Sequence, residues 1–342
     1  MDLSIVTVTN NAIKHIDDCL HSIYQTTPPP EVEVLVSDNG STDGTVELVQ
    51  GKYPQVALIQ NGQNLGFGPA NNRGVSRSRG RYVLFLNDDT IVRSGALTKM
   101  VEFMDAHPDV GVIGAKLLNP DGTLQLSITR DPSIWMDMLR TLLPRRLEIN
   151  TTTTRKLVQR YAHVLGIKQL GRFSDHDQMV DVDCVMGACL LVRRVILDQI
   201  GAFDESIFLW GEENDLCHRI RQANWRIVYF PGAEIVHFGG STMGRPDTIL
   251  PKRVFVQRFK SNLYYYEKHT SKLNVWVYKV GLVSILLLRI LFLALKILLS
   301  KPEHKRILLG HREICWAAIR VLLDPNFRKQ NVFGEMKFNY LS

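Results

Sequence analysis

Three groups of side chains in this sequence have types and spacings that could do chemistry. Asn87-Asp88-Asp89 follows directly on the apolar run Val83–Leu86, so a buried strand would deliver oxygen ligands at its exit. Carboxylate oxygens held that way suit a hard divalent cation. Glu212, Glu213 and Asp215 fall within four residues, just after Trp210-Gly211. A carboxylate there, with one oxygen free, could take a proton from an alcohol. His237 closes the run Ala233–His237 and is followed by Phe238-Gly239-Gly240; imidazole together with aspartate oxygens suits Mn²⁺ or Mg²⁺. Each group also has a plainer reading. Asp and Asn are ordinary turn residues after a strand, acids at a helix start are favoured by the helix dipole, and a single histidine is often just a core or turn residue.

The elements that must position these groups can be read from periodicity. Residues 3–9 (LSIVTVT), 32–36, 56–61 and 82–86 read as strands. Residues 15–25, 45–53, 68–80 and 95–110 read as helices, the second with Asp43 or Thr45 available as a cap. Such alternation predicts an α/β fold, a mostly parallel sheet with helices on both faces. Ligands in such sheets sit at the carboxyl ends of the strands. That rule gathers Ser37-Asp38-Asn39, Asn64 with Gly66, and Asn87-Asp88-Asp89 along one edge. Three polar clusters at successive strand ends make turns alone a weaker explanation. The pattern lapses over 130–178, an excursion from the sheet, and resumes at 179–194 with a strand pair and a short helix ending near Gly201.

Charge is unevenly spread. From Lys252 to Ser342 there are 17 Lys+Arg and 5 Asp+Glu, whereas the first 251 residues hold 24 and 29. An acidic body with a basic tail argues against nucleic acid as the partner and favours an anionic membrane surface for the tail. Five cysteines without a C-x-x-C pair speak against a zinc site and fit a reducing compartment. The N-terminus lacks a basic stretch and reads as a first strand rather than a signal peptide. In the tail, residues 277–300 are apolar enough for a spanning helix, but Arg289 would sit near the middle, at a cost of about 3 kcal/mol. Arg289 and Lys296 share a helical face, which favours an amphipathic helix lying in the interface with its basic face on anionic headgroups. A core or oligomer helix, and a spanning helix, are the alternatives. Residues 255–272, with three consecutive tyrosines, read as a bridge to this anchor.

The stretches LSIVTVTNN, VLVSDNGSTDGTVE, NLGFGPANNRG, YVLFLNDDT, GACLLVRR, GAFDESIFLWGEENDLCHR and VHFGGST together resemble the family 2 glycosyltransferases of GT-A type, over roughly residues 3–242. Within that family they look like bacterial rhamnosyltransferase-like enzymes of cell-surface polysaccharide synthesis. The resemblance implies a catalytic domain over 1–250 and a membrane-associating helical tail over 251–342. It implies a nucleotide-diphosphate sugar as donor, with dTDP-rhamnose the best match, and Mg²⁺ or Mn²⁺ as cofactor. It also implies a lipid-linked saccharide acceptor at the cytoplasmic face of a bacterial inner membrane. A homo-oligomer is left open.

By the same resemblance, Asp38 should touch the nucleotide base, with Thr9, Asn10, Asn39 and Asp43 around it. Asn64, Gly66, Asn71 and Asn72 match the second nucleotide and sugar-phosphate motif. Asn87-Asp88-Asp89 stands where relatives have D-x-D, which implies the metal on Asp89 and His237 and the sugar or ribose on Asp88. Glu213 stands at the position of the base, one methylene longer than usual, with Glu212 or Asp215 to serve if its reach is wrong. Two other classes fit the sequence less well. A sugar nucleotidyltransferase would want a glycine-rich basic loop after the first strand, where this chain has TNNAIKH. A non-catalytic membrane-bound scaffold would not need the acid set. A dinucleotide dehydrogenase is excluded, because no G-x-G-x-x-G follows the first strand.

Overall fold

The computed structural model describes residues 1–25, 30–142, 177–239, 252–300 and 302–326. The chain forms two compact units: Met1–Asp131 with His176–Thr242, and Pro132–Asp175 with Met243–Ser342. Most of the 130–178 excursion lies outside the described residues.

The first unit is built on β-strands whose apolar residues are buried on both faces. β1 (Leu3–Thr9), β2 (Val32–Asp38), β3 (Ala57–Gln60) and β4 (Tyr82–Leu86) lie in the order β3-β2-β1-β4, all parallel. Val83, Leu84, Phe85 and Leu86 of β4 are buried. Each contributes about 1.5–3 kcal/mol, so the strand carrying Asn87–Asp89 is firmly held. β11 (Cys189–Arg193) runs antiparallel between β4 and β6 (Val110–Leu118), and β12 (Arg226–His237) then lies parallel to β6. Two reversals restore the original direction, so β12 ends on the same edge as β1, β2 and β4. β5 (Thr90–Val92) closes that side antiparallel to β12, with His237 opposite Thr90. The short strands β7 (Leu124–Gln125) and β9 (Val180–Asp181) pair with β6 and β12. A separate ribbon joins β8 (Ile128–Thr129) to β10 (Cys184–Val185). The result is the expected α/β architecture, with an antiparallel strand inserted into the parallel sheet.

Helices α1 (Ile16–Tyr24), α2 (Thr45–Lys52), α3 (Phe67–Val75), α4 (Ala96–Ala106), α6 (Arg194–Ile200) and α7 (Glu212–Gln222) follow the strands. α3 comes so close to β1 that a Cβ on Gly74 would stand 2.3 Å from Val6 Cγ1.

The second unit is helical. α5 (Ile134–Leu142), the described part of the excursion, groups here with α8 (Lys252–His269), α9 (Lys272–Leu299) and α10 (Pro302–Leu323). Their shared core holds Phe259, Leu263, Tyr266, Tyr278, Leu282, Leu286, Ala318 and Leu322. Asp137 of α5 is buried and accepts from Tyr266 Oη (2.8 Å) and Asn262 Nδ2 (2.7 Å). Ser271 caps α9, its hydroxyl accepting from the Asn274 amide.

Arg289 differs from expectation. Its Nη1 donates to Thr141 O (2.8 Å) in the last turn of α5. The guanidinium therefore meets the negative end of a helix, and the basic face proposed for α9 loses this member to an internal contact.

Candidate active site

The parallel edge carries the three polar clusters, each shaped by its own hydrogen bonds. Asp38, at the end of β2, is buried and opposite Thr9 in register. Its carboxylate accepts from the Gly40 and Ser41 amides at 3.0–3.2 Å, an Asx turn that fixes its orientation. Asn39 is a hub. Its amide N–H donates to Thr9 O, its Nδ2 to Gly66 O, and its Oδ1 and carbonyl accept from Asn61 and Asn10. Asp43 accepts from the Ile13 amide and from both Thr45 groups, tying the loop after β1 to the start of α2. These bonds hold its carboxyl below the usual range despite the opposing effect of burial. Asn11, in a left-handed conformation (φ 55°), accepts from the Thr42 amide across the same gap.

The second cluster sorts into two kinds. Asn64 Oδ1 accepts from the Gly66 amide at 2.9 Å. Gly66 (φ +92°) lies so close to residue 208 that a Cβ would stand 2.7 Å from Phe208 O, so conformation and space both require glycine. Asn71 and Asn72, by contrast, are committed within the protein. Asn71 is buried and donates to Phe67 O in its own helix. Asn72 donates to Phe203 O and Glu205 and accepts from the Phe203 amide. These bonds clamp α3 to residues 203–205 and hold both side chains in place.

Asp89 and His237 meet. His237 Nε2 is 3.2 Å from Asp89 Oδ1 and 3.3 Å from Asn87 Nδ2, and the Phe238 amide donates to Asp89 O. His237 and Asp89 are both buried. Burial opposes ionisation of Asp89, yet the adjacent His237 ring holds its carboxyl below the usual range, with His15 adding to the effect. His15, whose ring packs 5.0 Å from Phe238, is a neighbour that the sequence reading missed. Asp88 retains some exposure but lies in a crowded floor. Burial, then the Asp89 charge, push its carboxyl up to about 7, against the Thr9 hydroxyl and the Asn10 amide.

This geometry tests the fit of a metal. His237 Nε2 and Asp89 Oδ1, 3.2 Å apart, are placed to share either a ring proton or a cation. Among the described residues no three His, Cys, Asp or Glu side chains gather around one point. A carboxylate oxygen and an imidazole nitrogen are a donor pair that fits Mn²⁺ or Mg²⁺.

The acids at the start of α7 occupy three different environments. Trp210 adopts φ 62°, rare for a bulky residue, and Gly211 φ 100°. This sharp turn delivers Glu212 and Glu213 at the helix N-terminus. Glu212 is 4% exposed, and among the described residues its Oε2 has no hydrogen-bond partner. Burial raises its pKa well above normal, and the Glu213 charge adds to that. Glu213 keeps partial exposure, and burial raises its carboxyl too. A carboxylate with a raised pKa is the stronger base. The Glu213 charge is felt at Cys184, and the turn that follows Cys184 brings Ala188 O to the Asn87 amide.

Asp215 is fully buried and accepts from Arg219 Nε at 2.8 Å. Arg219 also donates to the carbonyls of Ile200, Gly201 and Ala202. Asp215 is thus a brace for residues 200–202, not an open base. Asp215→Ala leaves Arg219 without its carboxylate while its three carbonyl bonds remain, and we expect urea unfolding to show a loss of about 1.5–3 kcal/mol.

The family model described as Glycosyl transferase family 2 matches residues 4–201. The chain is a family 2 glycosyltransferase. It is 31% identical over 254 residues to N-acetylglucosaminyl-diphospho-decaprenol L-rhamnosyltransferase of Mycobacterium tuberculosis, covering 71% of this chain and 78% of that one. It is 32% identical over 126 residues to the putative teichuronic acid biosynthesis glycosyltransferase TuaG of Bacillus subtilis, covering 35% and 49%. Among solved structures it resembles the mannosyltransferase PcManGT of Pyrobaculum calidifontis, with TM-score 0.52 and 16% identity over 94% of this chain and 87% of that one. That likeness establishes the GT-A fold of this glycosyltransferase.

Proposed function

We propose that this glycosyltransferase moves rhamnose from dTDP-rhamnose to a hydroxyl of a lipid-linked saccharide with inversion, at the cytoplasmic face of a bacterial inner membrane. The observation that carries the reading is the meeting of Asp89 and His237 on the strand edge that also holds Asp38. The donor and acceptor classes are supported by the mycobacterial relative, whose name specifies rhamnosyl transfer to a decaprenol-linked N-acetylglucosamine.

Asp38, Asn39 and Thr9 hold the base and ribose end of the donor. Asp89 and His237 would hold a divalent cation; the PcManGT structure was solved in complex with GDP-Man and Mn²⁺. When bound, such an ion neutralises charge on the leaving diphosphate. Asp88 accepts a hydrogen bond from a donor hydroxyl. Glu213 takes the proton of the attacking acceptor hydroxyl. Glu212 uses its unpaired oxygen to accept from a sugar hydroxyl and orient it. The test is transfer of radiolabelled rhamnose from dTDP-rhamnose to prenyl-diphosphate N-acetylglucosamine; a product with the donor's anomeric configuration, or no product with any nucleotide sugar, contradicts the proposal.

The helical unit supports membrane docking. By length and composition α9 could cross a bilayer. However, its Tyr278, Leu282 and Leu286 line pack into the core shared with α10, whose Glu313 and Arg320 are exposed. Spanning would draw those charges into hydrocarbon. The opposite face of α9 exposes Trp276, Val280, Leu287, Leu288, Leu291, Phe292 and Leu295. Such a face, on a tail with surplus positive charge, suits the interface of an anionic bilayer. Leu288→Glu with Leu291→Glu, at positions 61% and 60% exposed, should leave folding intact. It should weaken binding to phosphatidylglycerol vesicles about 10-fold or more in sedimentation.

A further inference from the structure

His237 receives a hydrogen bond network of its own, running away from the metal side into the 119–125 turn. Its Nδ1 lies 2.6 Å from Gln125 Oε1. Gln125 Nε2 in turn reaches Asn119 Oδ1 at 3.0 Å and His237 O at 3.4 Å. Asn119 Nδ2 reaches Thr123 Oγ1 at 2.9 Å, and the Thr123 hydroxyl lies 2.5 Å from Asp121 Oδ1.

The polarity of this chain is fixed from its far end. An ionised carboxylate only accepts, so the single proton of Thr123 goes to Asp121; that hydroxyl bond holds the Asp121 carboxyl below its usual range. Thr123 Oγ1 must then accept from Asn119 Nδ2, which turns Asn119 Oδ1 toward Gln125. Gln125 is fixed by the same logic. Flipping its amide would set its oxygen against both Asn119 Oδ1 and the His237 carbonyl, two acceptors. Its Oε1 therefore faces the ring, and an amide oxygen can only accept. In the neutral ring the proton sits on Nδ1, and Nε2 presents a lone pair.

The proposal rests on the metal reading given above. We propose that Gln125 is a positioning residue: through it, a directed relay from Asp121 holds the neutral His237 ring with its proton on Nδ1, keeping the Nε2 lone pair on the Asp89 side for a divalent cation. A histidine that binds metal through one nitrogen commonly donates from the other, and such partners typically contribute 10–100-fold in affinity. Without Gln125, the neutral ring gains most by carrying its proton on Nε2 and donating it to Asp89 Oδ1, 3.2 Å away. That arrangement blocks the coordinating atom. The relay is thus a device against the ring's most convenient local bond.

The test has two arms on the full chain. In the metal-free protein with ¹⁵N-labelled histidine, long-range ¹H–¹⁵N spectra recorded at alkaline pH report the tautomer. The His237 signal is identified by its loss in His237→Ala. The expected result is an Nδ1–H ring in the wild type and an Nε2–H ring in Gln125→Met, a variant of similar length with no amide acceptor. In the second arm Mn²⁺ is titrated and free ion followed by electron paramagnetic resonance; Gln125→Met should bind about 10–100-fold more weakly. An Nε2–H ring in the wild type overturns the relay, and needs no variant to fold. Unchanged tautomer and Mn²⁺ affinity in Gln125→Met overturn it as well. Unchanged Mn²⁺ affinity in His237→Ala would instead overturn the metal reading, which the metal-free spectra do not depend on.

Discussion

Glu213→Gln is expected to lower the turnover of sugar transfer about 10²–10⁴-fold, the usual contribution of a general base, while nucleotide-sugar binding stays near wild type. The amide keeps the size of the side chain and its place at the start of α7, but it cannot take the acceptor's proton. Three features single out Glu213. It keeps partial exposure where Asp215 has none, burial raises its carboxyl above the usual range, and among the described residues it has no structural ion pair such as Asp215 makes with Arg219. Glu212→Gln should cost less, because its amide can still bond a sugar hydroxyl. Steady-state kinetics on both variants separates the roles. A wild-type rate in Glu213→Gln with a collapse in Glu212→Gln would assign the base to Glu212.

Asp89→Ala, or removal of divalent ions with EDTA, should lower transfer by at least about 100-fold, the scale of losing electrostatic stabilisation of a leaving group. The fold should survive, because the structural bond of residue 89 is made by its backbone carbonyl, which accepts from the Phe238 amide. Mn²⁺ should restore activity after EDTA in the wild type and fail to do so in Asp89→Ala. His237→Ala should show the same direction with a smaller loss, since the carboxylate carries the charge. Full activity of Asp89→Ala without divalent ions would remove the metal from the account.

Much of this site was legible because strand periodicity and the carboxyl-edge rule are local signals. Asp38, Asn39, Asn64, Gly66 and Asn87–Asp89 follow apolar runs that can only be strands, and parallel strands share an edge. That β12 also ends there was not legible. Its direction depends on β11 slipping antiparallel between β4 and β6, a pairing between distant segments that leaves no local pattern. The internal partners of Asn71 and Asn72 were hidden for a related reason. An asparagine near a glycine-rich loop looks free until its partners are known, and those of Asn72 are the Phe203 backbone and Glu205, over 130 residues away. Arg289 on a helical wheel faces headgroups; in the folded helices it meets the end of α5, at Thr141, 148 residues earlier in the chain. Gln125 carried no signal, because the worth of its amide lies in which oxygen it turns toward which ring.

The most direct measurement is anomalous diffraction at the manganese edge from crystals grown with Mn²⁺ and a nucleoside diphosphate. The account predicts one peak within coordination distance of an Asp89 carboxylate oxygen and His237 Nε2, with diphosphate oxygens completing the shell and the base beside Asp38. A bound nucleotide whose diphosphate lies away from Asp89, or a manganese peak that touches neither Asp89 nor His237, would contradict it.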